Sequence, residues 1–173
     1  MHRHVGSIRY GLAAAGLVAV LLSGCSSSNI GGSTFGNSKQ TIAEISNIGD
    51  YDAERALSEA RVHFRNNDFG YSAALYKRSV ELNPKSLEGY IGLSASYDRI
   101  GRFDLSDRVY ETFYKISGGS AQYYNNVGYS YMLRGNLSAA LTNFRKAQRL
   151  DPDNVVIANN LQILSNAVKS ARA

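Results

Sequence analysis

Residues of matching type recur in this chain at intervals of 34 positions. Tyr97 and Tyr131 are separated by this interval, and so are Gly101 and Gly135. The same interval runs through four further series, namely Ala56, Tyr90, Tyr124 and Ala158; Phe69, Phe103 and Leu137; Tyr76, Tyr110 and Phe144; and Leu82, Ile116 and Leu150. A fixed period of this length is typical of architectures in which one supersecondary unit is stacked several times. The period therefore predicts an array of similar units over most of the chain.

Each repeating unit contains two segments with helical periodicity. In the third unit, the apolar and small residues that share a face are Tyr124, Val127, Gly128 and Tyr131 in the first segment, and Ala140, Leu141, Phe144 and Ala147 in the second. Gly135-Asn136 interrupts the chain between the segments, and Pro152 ends the second. Because one helix pair cannot bury its apolar faces alone, adjacent pairs have to stack. The sequence predicts an all-α fold.

The third unit, residues 121–154, resembles the tetratricopeptide repeat almost position for position. The resemblance is carried by Tyr124, Val127-Gly128, Tyr131, Gly135-Asn136-Leu137, Ala140, Phe144, Ala147 and Leu150-Asp151-Pro152. Units 53–86 and 87–120 match more loosely. The resemblance implies a right-handed superhelical solenoid of three tetratricopeptide helix pairs, followed by a capping helix over residues 154–169. It implies little about function, because this scaffold serves many partners.

The second unit departs from the pattern of the repeat at two places. Phe113 stands where a small residue is usual, and Ser117-Gly118-Gly119-Ser120 replaces the Asp-Pro stop. We expect a shifted helix pair or a looser loop at this point, within a repeat domain that spans residues 50–173.

Residues 1–24 have the pattern of a signal peptide. Arg3 and Arg9 precede an uncharged stretch at residues 11–22, which is too short to cross a bilayer as a helix. Leu22-Ser23-Gly24-Cys25 then resembles the bacterial lipobox. By that resemblance Cys25 is the lipidation site and becomes the mature N-terminus. The alternative is an ordinary secretory signal followed by a chance cysteine.

Residues 25–49 are predicted to hold the lipid apart from the folded domain. Residues 26–39 are rich in Gly, Ser and Asn, a composition typical of a flexible linker. Two or more acyl chains on Cys25 would anchor the protein stably to a membrane. By analogy with Gram-negative sorting, Ser26 favours the outer membrane, with the domain facing the periplasm.

In proteins with the repeat that unit three resembles, fixed positions on the first helix of each pair face the ligand. Carried over to this chain, these positions give the predicted partner-binding groove residues Arg61, Arg65, Asp98, Arg99, Asn125, Asn126, Tyr129, Met132, Asn159 and Asn160, and they also include Phe64 and Ala95. Tyr129 is singled out as a recognition residue, because interfaces favour amphipathic aromatic side chains. The other tyrosines fall mostly at core positions.

Two groups of groove residues each have two interpretations. Asn125-Asn126 and Asn159-Asn160 occupy equal repeat positions, and their amides could hydrogen-bond the backbone of an extended peptide. Alternatively, they cap or bridge neighbouring helices. Arg61, Arg65 and Arg99 could form a cationic end of the groove that holds a carboxylate. The alternative is a solvated face, with Arg99 paired to nearby acidic side chains.

The sequence contains no catalytic or cofactor-binding motif. His63 is the sole histidine outside residues 1–24, and it falls at a core position of the repeat. The single cysteine excludes an internal disulfide and a cysteine-rich zinc site. Removal of the signal peptide lowers the excess of basic residues from five to three, and no basic stripe alternates with aromatic residues. We predict no enzymatic activity, cofactor, metal site, nucleic-acid partner or small-molecule substrate.

These features together predict a membrane-anchored periplasmic adaptor that binds a protein partner in its concave groove. Size, lipobox and a short repeat array resemble the lipoproteins of tight-adherence (Flp) pilus assembly and, more distantly, the pilotins that help a secretin ring reach the outer membrane. The resemblance implies a pilus or secretin component as partner. The alternative is an envelope adaptor that recruits peptidoglycan hydrolases or proteases. The sequence leaves the oligomeric state open.

Overall fold

The structure is a computed structural model that describes residues 41–171 of the 173-residue chain. The predicted signal peptide and Cys25 lie outside the described residues. The regular structure of the described part is helical and consists of a 3-10 turn Ile48–Asp50, α1 Ala53–Arg65, α2 Phe69–Leu82, α3 Leu87–Arg99, α4 Phe103–Ser117, α5 Ala121–Leu133, α6 Leu137–Leu150 and α7 Val155–Ser170. The helices form three consecutive pairs, α1/α2, α3/α4 and α5/α6, and α7 packs on the last pair.

The first helix of each pair, and α7, begin after a polar side chain that caps the helix. The capping residues are Asp52, Ser86, Ser120 and Asn154, each one sequence period after the last. Each side-chain oxygen accepts from the backbone N–H three residues further on, at 2.7 to 3.3 Å. Such a cap satisfies one of the N–H groups that a helix leaves unpaired at its start. The sequence period therefore also fixes where α1, α3, α5 and α7 begin.

Each pair turns through one residue with a left-handed backbone. Asn67, Gly101 and Gly135 have φ angles of 63°, 75° and 78°, and they too are spaced by one sequence period. Glycine adopts this conformation without steric cost, and asparagine tolerates it better than most residues. The short turn folds the second helix of each pair back along the first.

Glycines allow neighbouring helices to approach each other closely, both within a helix pair and between pairs. Within the third pair, a Cβ atom on Gly128 of α5 would lie 2.7 Å from the ring of Phe144 on α6. Between the first two pairs, a Cβ atom on Gly92 of α3 would overlap the ring of Tyr76 on α2. Tyr76 and Phe144 occupy the same repeat position and are both buried. Each of these rings therefore needs a residue without a side chain opposite it.

The first helices α1, α3, α5 and α7 lie side by side and form one wall of the stack. The spacing along the stack is uneven, because α4 approaches α5 less closely than α2 approaches α3. Phe113 of α4 is fully buried at the repeat position where Ser79 and Ala147 stand in the other pairs. A larger side chain at this position needs more room, which fits the looser junction expected from the sequence.

The apolar core is divided into two clusters. The first cluster contains Ala60, Phe69, Ala73, Leu75, Tyr76, Val80, Leu93, Tyr97 and Ile100. The second contains Met132, Ala140, Phe144 and Leu164. Fully or almost fully buried polar side chains lie on α2 to α5, among them Asp98, Ser106 and Ser130. In the middle of the stack these polar groups accompany the buried rings of Tyr110 and Phe113.

The chain preceding α1 packs on the first helix pair. Three partly buried isoleucines contact the first apolar cluster, namely Ile42, Ile45 and Ile48. The Arg78 guanidinium of α2 donates to the backbone oxygens of Gly49 and Tyr51 at 2.9 and 3.2 Å. The packed part of the chain thus begins before residue 50, and the last residues of the predicted linker 25–49 belong to it, because their apolar side chains are covered there.

Candidate partner-binding groove

A pocket with a volume of about 240 Å³ lies on the wall formed by the first helices. We call it the groove pocket, and its lining residues are Phe64, Ala95, Asp98, Arg99, Tyr110, Asn126 and Tyr129. All but Tyr110 belong to α1, α3 or α5. Of the ten predicted partner-binding residues, the structure brings four together here, namely Asp98, Arg99, Asn126 and Tyr129. Phe64 and Ala95, which occupy the same ligand-facing repeat positions, join them.

Asp98 forms the floor of the groove pocket. The residue is 1% exposed, and its carboxylate accepts hydrogen bonds from the hydroxyls of Ser130 at 2.7 Å and Tyr110 at 2.9 Å. Burial raises the pKa of Asp98 above its usual value, while the hydroxyl hydrogen bonds and the nearby Arg134 act in the opposite direction. Asp98 therefore lies at the groove as predicted from its repeat position, but as a buried residue that lines the groove pocket.

Arg134 is shared between two carboxylates. Its Nη2 atom lies 4.0 Å from Oδ1 of Asp98, whereas its guanidinium makes two closer contacts to Asp107 at 2.5 and 3.0 Å. When both acids are ionised, these three side chains together carry one surplus negative charge. Asp98 is the more weakly paired of the two carboxylates, so the surplus lies at the floor of the groove pocket.

The three arginines predicted to form a cationic end are in different surroundings. Arg61 donates from Nη2 to the Glu88 carboxylate at 2.9 Å, which neutralises its charge locally. The guanidinium carbon of Arg99 lies 4.1 Å from the centre of the Phe69 ring, a cation–π contact where the sequence suggested an acidic partner. Arg65 is exposed at the end of α1. The predicted cationic end is therefore reduced to Arg65 and Arg99.

Two of the four predicted asparagines bridge helices. The Asn160 amide on α7 donates to the side-chain oxygen of Asn125 on α5 at 2.9 Å, and Asn125 in turn approaches Asn126 at 3.4 Å. Asn159 is exposed on α7, and Asn126 lines the groove pocket. The bridging interpretation thus applies to Asn125 and Asn160, and Asn126 and Asn159 remain the predicted asparagines within reach of a partner.

Tyr129 and Met132 of α5 differ in their accessibility. Tyr129 is half-buried and lines the groove pocket. Met132 is 4% exposed and packs in the second apolar cluster with Phe144 and Leu164. The prediction that Met132 is a groove residue is wrong, because this side chain belongs to the core.

Tyr110 falls at a core position of the repeat, yet it also lines the groove pocket, which its repeat position does not predict. Burial raises its pKa well above the usual value, so its hydroxyl keeps the proton that it donates to Asp98. A signal for this pair was present in the sequence. Asp98 stands at the repeat position that Phe64 and Met132 occupy in the other units. An acidic residue at that position requires a hydrogen-bond donor nearby.

Neither a metal-ligand cluster nor a membrane-spanning helix occurs within residues 41–171. Over that range, no three His, Cys, Asp or Glu side chains are close enough together to hold a metal ion. The helices described there are too short or too polar to cross a bilayer.

Comparison with known proteins identifies the repeat. The sequence profile of the tetratricopeptide repeat matches residues 121–154. Small glutamine-rich tetratricopeptide repeat-containing protein 2 of Mycosarcoma maydis is 24% identical over 119 residues, which cover 69% of this chain and 34% of that protein. This chain therefore spans about a third of the length of that curated relative.

Solved structures show the same fold. The first tetratricopeptide domain of human RPAP3 is similar with a TM-score of 0.59 at 16% identity, covering 68% of this chain and 93% of that one. A TM-score of 0.57 at 15% identity relates this chain to the first such domain of Spaghetti (RPAP3) bound to an HSP90 peptide, with 68% and 94% of the two chains covered.

The class of protein follows from these observations. The chain carries a tetratricopeptide repeat at residues 121–154, and its described helices have the superhelical fold of tetratricopeptide-repeat domains. The predicted fold class, an all-α solenoid of three helix pairs with a seventh helix, is confirmed. Domains of this class typically mediate protein–protein interaction, and the wall of first helices is the concave side of their solenoid.

Proposed function

We propose that this protein is a non-catalytic adaptor that binds a segment of a protein partner on the concave side of its solenoid. The groove pocket is the observation that carries the proposal, because three first helices place aromatic rings, an amide and a buried carboxylate around one opening. Aromatic and arginine side chains of this kind dominate protein interfaces. Small-molecule sites usually measure about 300–1,000 Å³, so the smaller volume favours one side chain of a polypeptide as occupant.

The peptide complexes of similar domains support a polypeptide ligand. The first tetratricopeptide domain of Spaghetti (RPAP3) has been solved with the HSP90 peptide SRMEEVD, and the second such domain of human RPAP3 with the HSP70 peptide SGPTIEEVD. At 15% and 14% identity these structures share the fold with this chain and carry no information about the peptide sequence that it prefers.

We also propose that the protein is anchored to a membrane and that its partner, here called the client, is a particular envelope protein. A lipid on Cys25 holds the domain at the outer membrane, facing the periplasm, and the partner is a component of tight-adherence pilus or secretin assembly. The lipobox at residues 22–25 and the resemblance to small repeat lipoproteins support this part. Anchoring raises the effective concentration of the partner at the membrane, so assembly is promoted without any catalytic step.

Filling the groove pocket tests the binding site and the client together. Ala95→Trp places a large ring in the pocket, and Lys115→Trp puts the same ring on the exposed surface of α4 as a control. We expect Ala95→Trp to abolish co-purification of pilus or secretin proteins from crosslinked membranes, and Lys115→Trp to retain it. Peptidoglycan hydrolases or proteases as the captured proteins would contradict the client, and equal capture by both variants would contradict the site.

Removing the lipidated side chain tests the anchor. In cells given radiolabelled palmitate, we expect label on the wild-type protein and on a Ser28→Ala control, and none on Cys25→Ala. The Cys25→Ala protein should keep its helical circular dichroism spectrum and lose pilus or secretin assembly. Label on Cys25→Ala would refute the proposed anchor, and normal surface pili in that strain would refute the proposed role in assembly.

A further inference from the structure

Of the side chains that the structure describes, none brings a cation closer than 4.0 Å to the Asp98 carboxylate in the groove pocket. The Asp98 carboxylate faces the neutral hydroxyls of Ser106, Ser130 and Tyr110, of which the last two donate to it at 2.7 and 2.9 Å, and its nearest cation is Arg134 at 4.0 Å. Arg134 is bound more closely by Asp107. A buried carboxylate without a close cation gains from a positive group that enters its site.

Arg99 lines the same pocket and does not supply that positive group. Its guanidinium lies over the ring of Phe69, and no ion pair joins it to Asp98 among residues 41–171. The side chain of an arginine is long enough for its methylene stem and its guanidinium to contact different surroundings. The stem of Arg99 can therefore line the pocket while its charged guanidinium lies over Phe69. The floor of the groove pocket therefore keeps its negative character.

The walls of the groove pocket suit the rest of a long cationic side chain. Phe64, Tyr110 and Tyr129 contribute aromatic rings from three different helices, and Ala95 leaves space between them. Aromatic faces attract ammonium and guanidinium groups and also cover the methylene stems that carry them. An acidic side chain in the same place would meet the Asp98 carboxylate and be repelled by it.

We propose that the groove pocket takes one lysine or arginine side chain of the partner, with the cationic head group at Asp98 and the stem against the rings of Phe64 and Tyr129. The inference rests on the proposed function, because it assigns the chemistry of the partner segment at the same site. Asp98 is then the residue that determines specificity at this position of the groove.

An array of random-sequence decapeptides tests the inference with protein purified from membranes in detergent. We expect peptides that bind the wild-type protein to share a lysine or arginine, and this preference to fall at least tenfold in Asp98→Asn. Asp153→Asn makes the same charge change at an exposed residue before α7 that does not line the pocket, and it should keep the preference.

The outcomes separate the inference from the proposed function. Peptide binding without selection for lysine or arginine, or selection that survives Asp98→Asn, overturns the inference and leaves the adaptor proposal standing. No binding of any peptide above background counts against both.

A second variant covers the case in which Asp98→Asn fails to fold. Ala95→Lys keeps Asp98 and places an ammonium group three residues before it on the same face of α3. This internal cation should occupy the pocket and remove the selection for lysine and arginine, with the midpoint of thermal unfolding retained or raised. Unchanged selection in a folded Ala95→Lys protein would overturn the inference.

Discussion

Asp98 stands at a repeat position that Phe64 and Met132 hold in the neighbouring units, so its carboxylate replaces an apolar group inside the stack. Removal of the carboxylate leaves the hydroxyl of Ser130 without its acceptor in a buried site, and it leaves the Tyr110 hydroxyl only the backbone oxygen of Asn126 at 3.2 Å. We expect Asp98→Ala to lower the free energy of unfolding by about 3 kcal/mol in urea titrations. Asp153→Ala, at an exposed site, is the control, and an equally small shift in both variants would contradict this role.

The titration of Asp98 gives the stability a pH dependence of known sign. Burial raises its pKa in the folded state, so between the usual aspartate pKa and this raised value the folded protein binds more protons than the unfolded chain. The free energy of unfolding contributed by Asp98 therefore falls as the pH rises through that window. The test measures the free energy of unfolding by urea titration from pH 4 upwards. The value for the wild type minus the value for Asp98→Asn should decrease as the pH rises. An increase would mean that the carboxylate is stabilised in its charged form.

The repeat register predicted from the sequence indicates which residues face the groove, but it does not indicate their hydrogen-bond partners. Arg99, Asn126 and Tyr129 lie in the groove pocket as their register implies. Asn160 has the same register as Asn126, yet its amide is engaged by Asn125. Such capture depends on side-chain distances between adjacent units, which a periodic pattern does not contain.

At the scale of helices, most of the architecture follows from features that recur with the sequence period. The caps before α1, α3, α5 and α7 and the left-handed turns at Asn67, Gly101 and Gly135 fix where the helices start and how each pair closes. The packed segment before α1 was not predicted, because its isoleucines follow a Gly- and Ser-rich stretch and have no counterpart in the repeat.

Gly128 tests how tightly a helix pair is packed. A methyl group there would press on the ring of Phe144, which is fully buried and has no room to move. Overpacking costs about 1–3 kcal/mol and the better helix propensity of alanine returns about 1 kcal/mol, so Gly128→Ala should destabilise by about 1 kcal/mol. Thermal unfolding measures this.

Gly49→Ala is the matched control for Gly128→Ala, because a Cβ atom on Gly49 would meet nothing within 4 Å. Its unfolding midpoint should stay at the wild-type value. A Gly128→Ala protein as stable as this control would show that α5 and α6 have more space than the structure gives them.

At the scale of the whole molecule, one apolar cluster stabilises the stack around α1 to α3 and the other around α5 to α7, and the groove pocket lies on α1, α3, α4 and α5. The buried carboxylate of Asp98 is therefore in the middle of the solenoid, where a bound segment would contact three first helices at once. The sequence period predicts that the helix pairs stack. The positions where the units differ, such as Asp98, determine which chemical groups the groove pocket presents.

The central claim is that the concave wall binds a polypeptide, and site-specific photo-crosslinking in intact cells tests it most directly. Benzoylphenylalanine replaces either Tyr129 in the groove pocket or Tyr114, which is 47% exposed on α4. We expect a crosslinked adduct with a discrete protein from position 129, its loss when Ala95→Trp fills the pocket, and no such adduct from position 114. An equal adduct from position 114, or none from position 129, would contradict the claim.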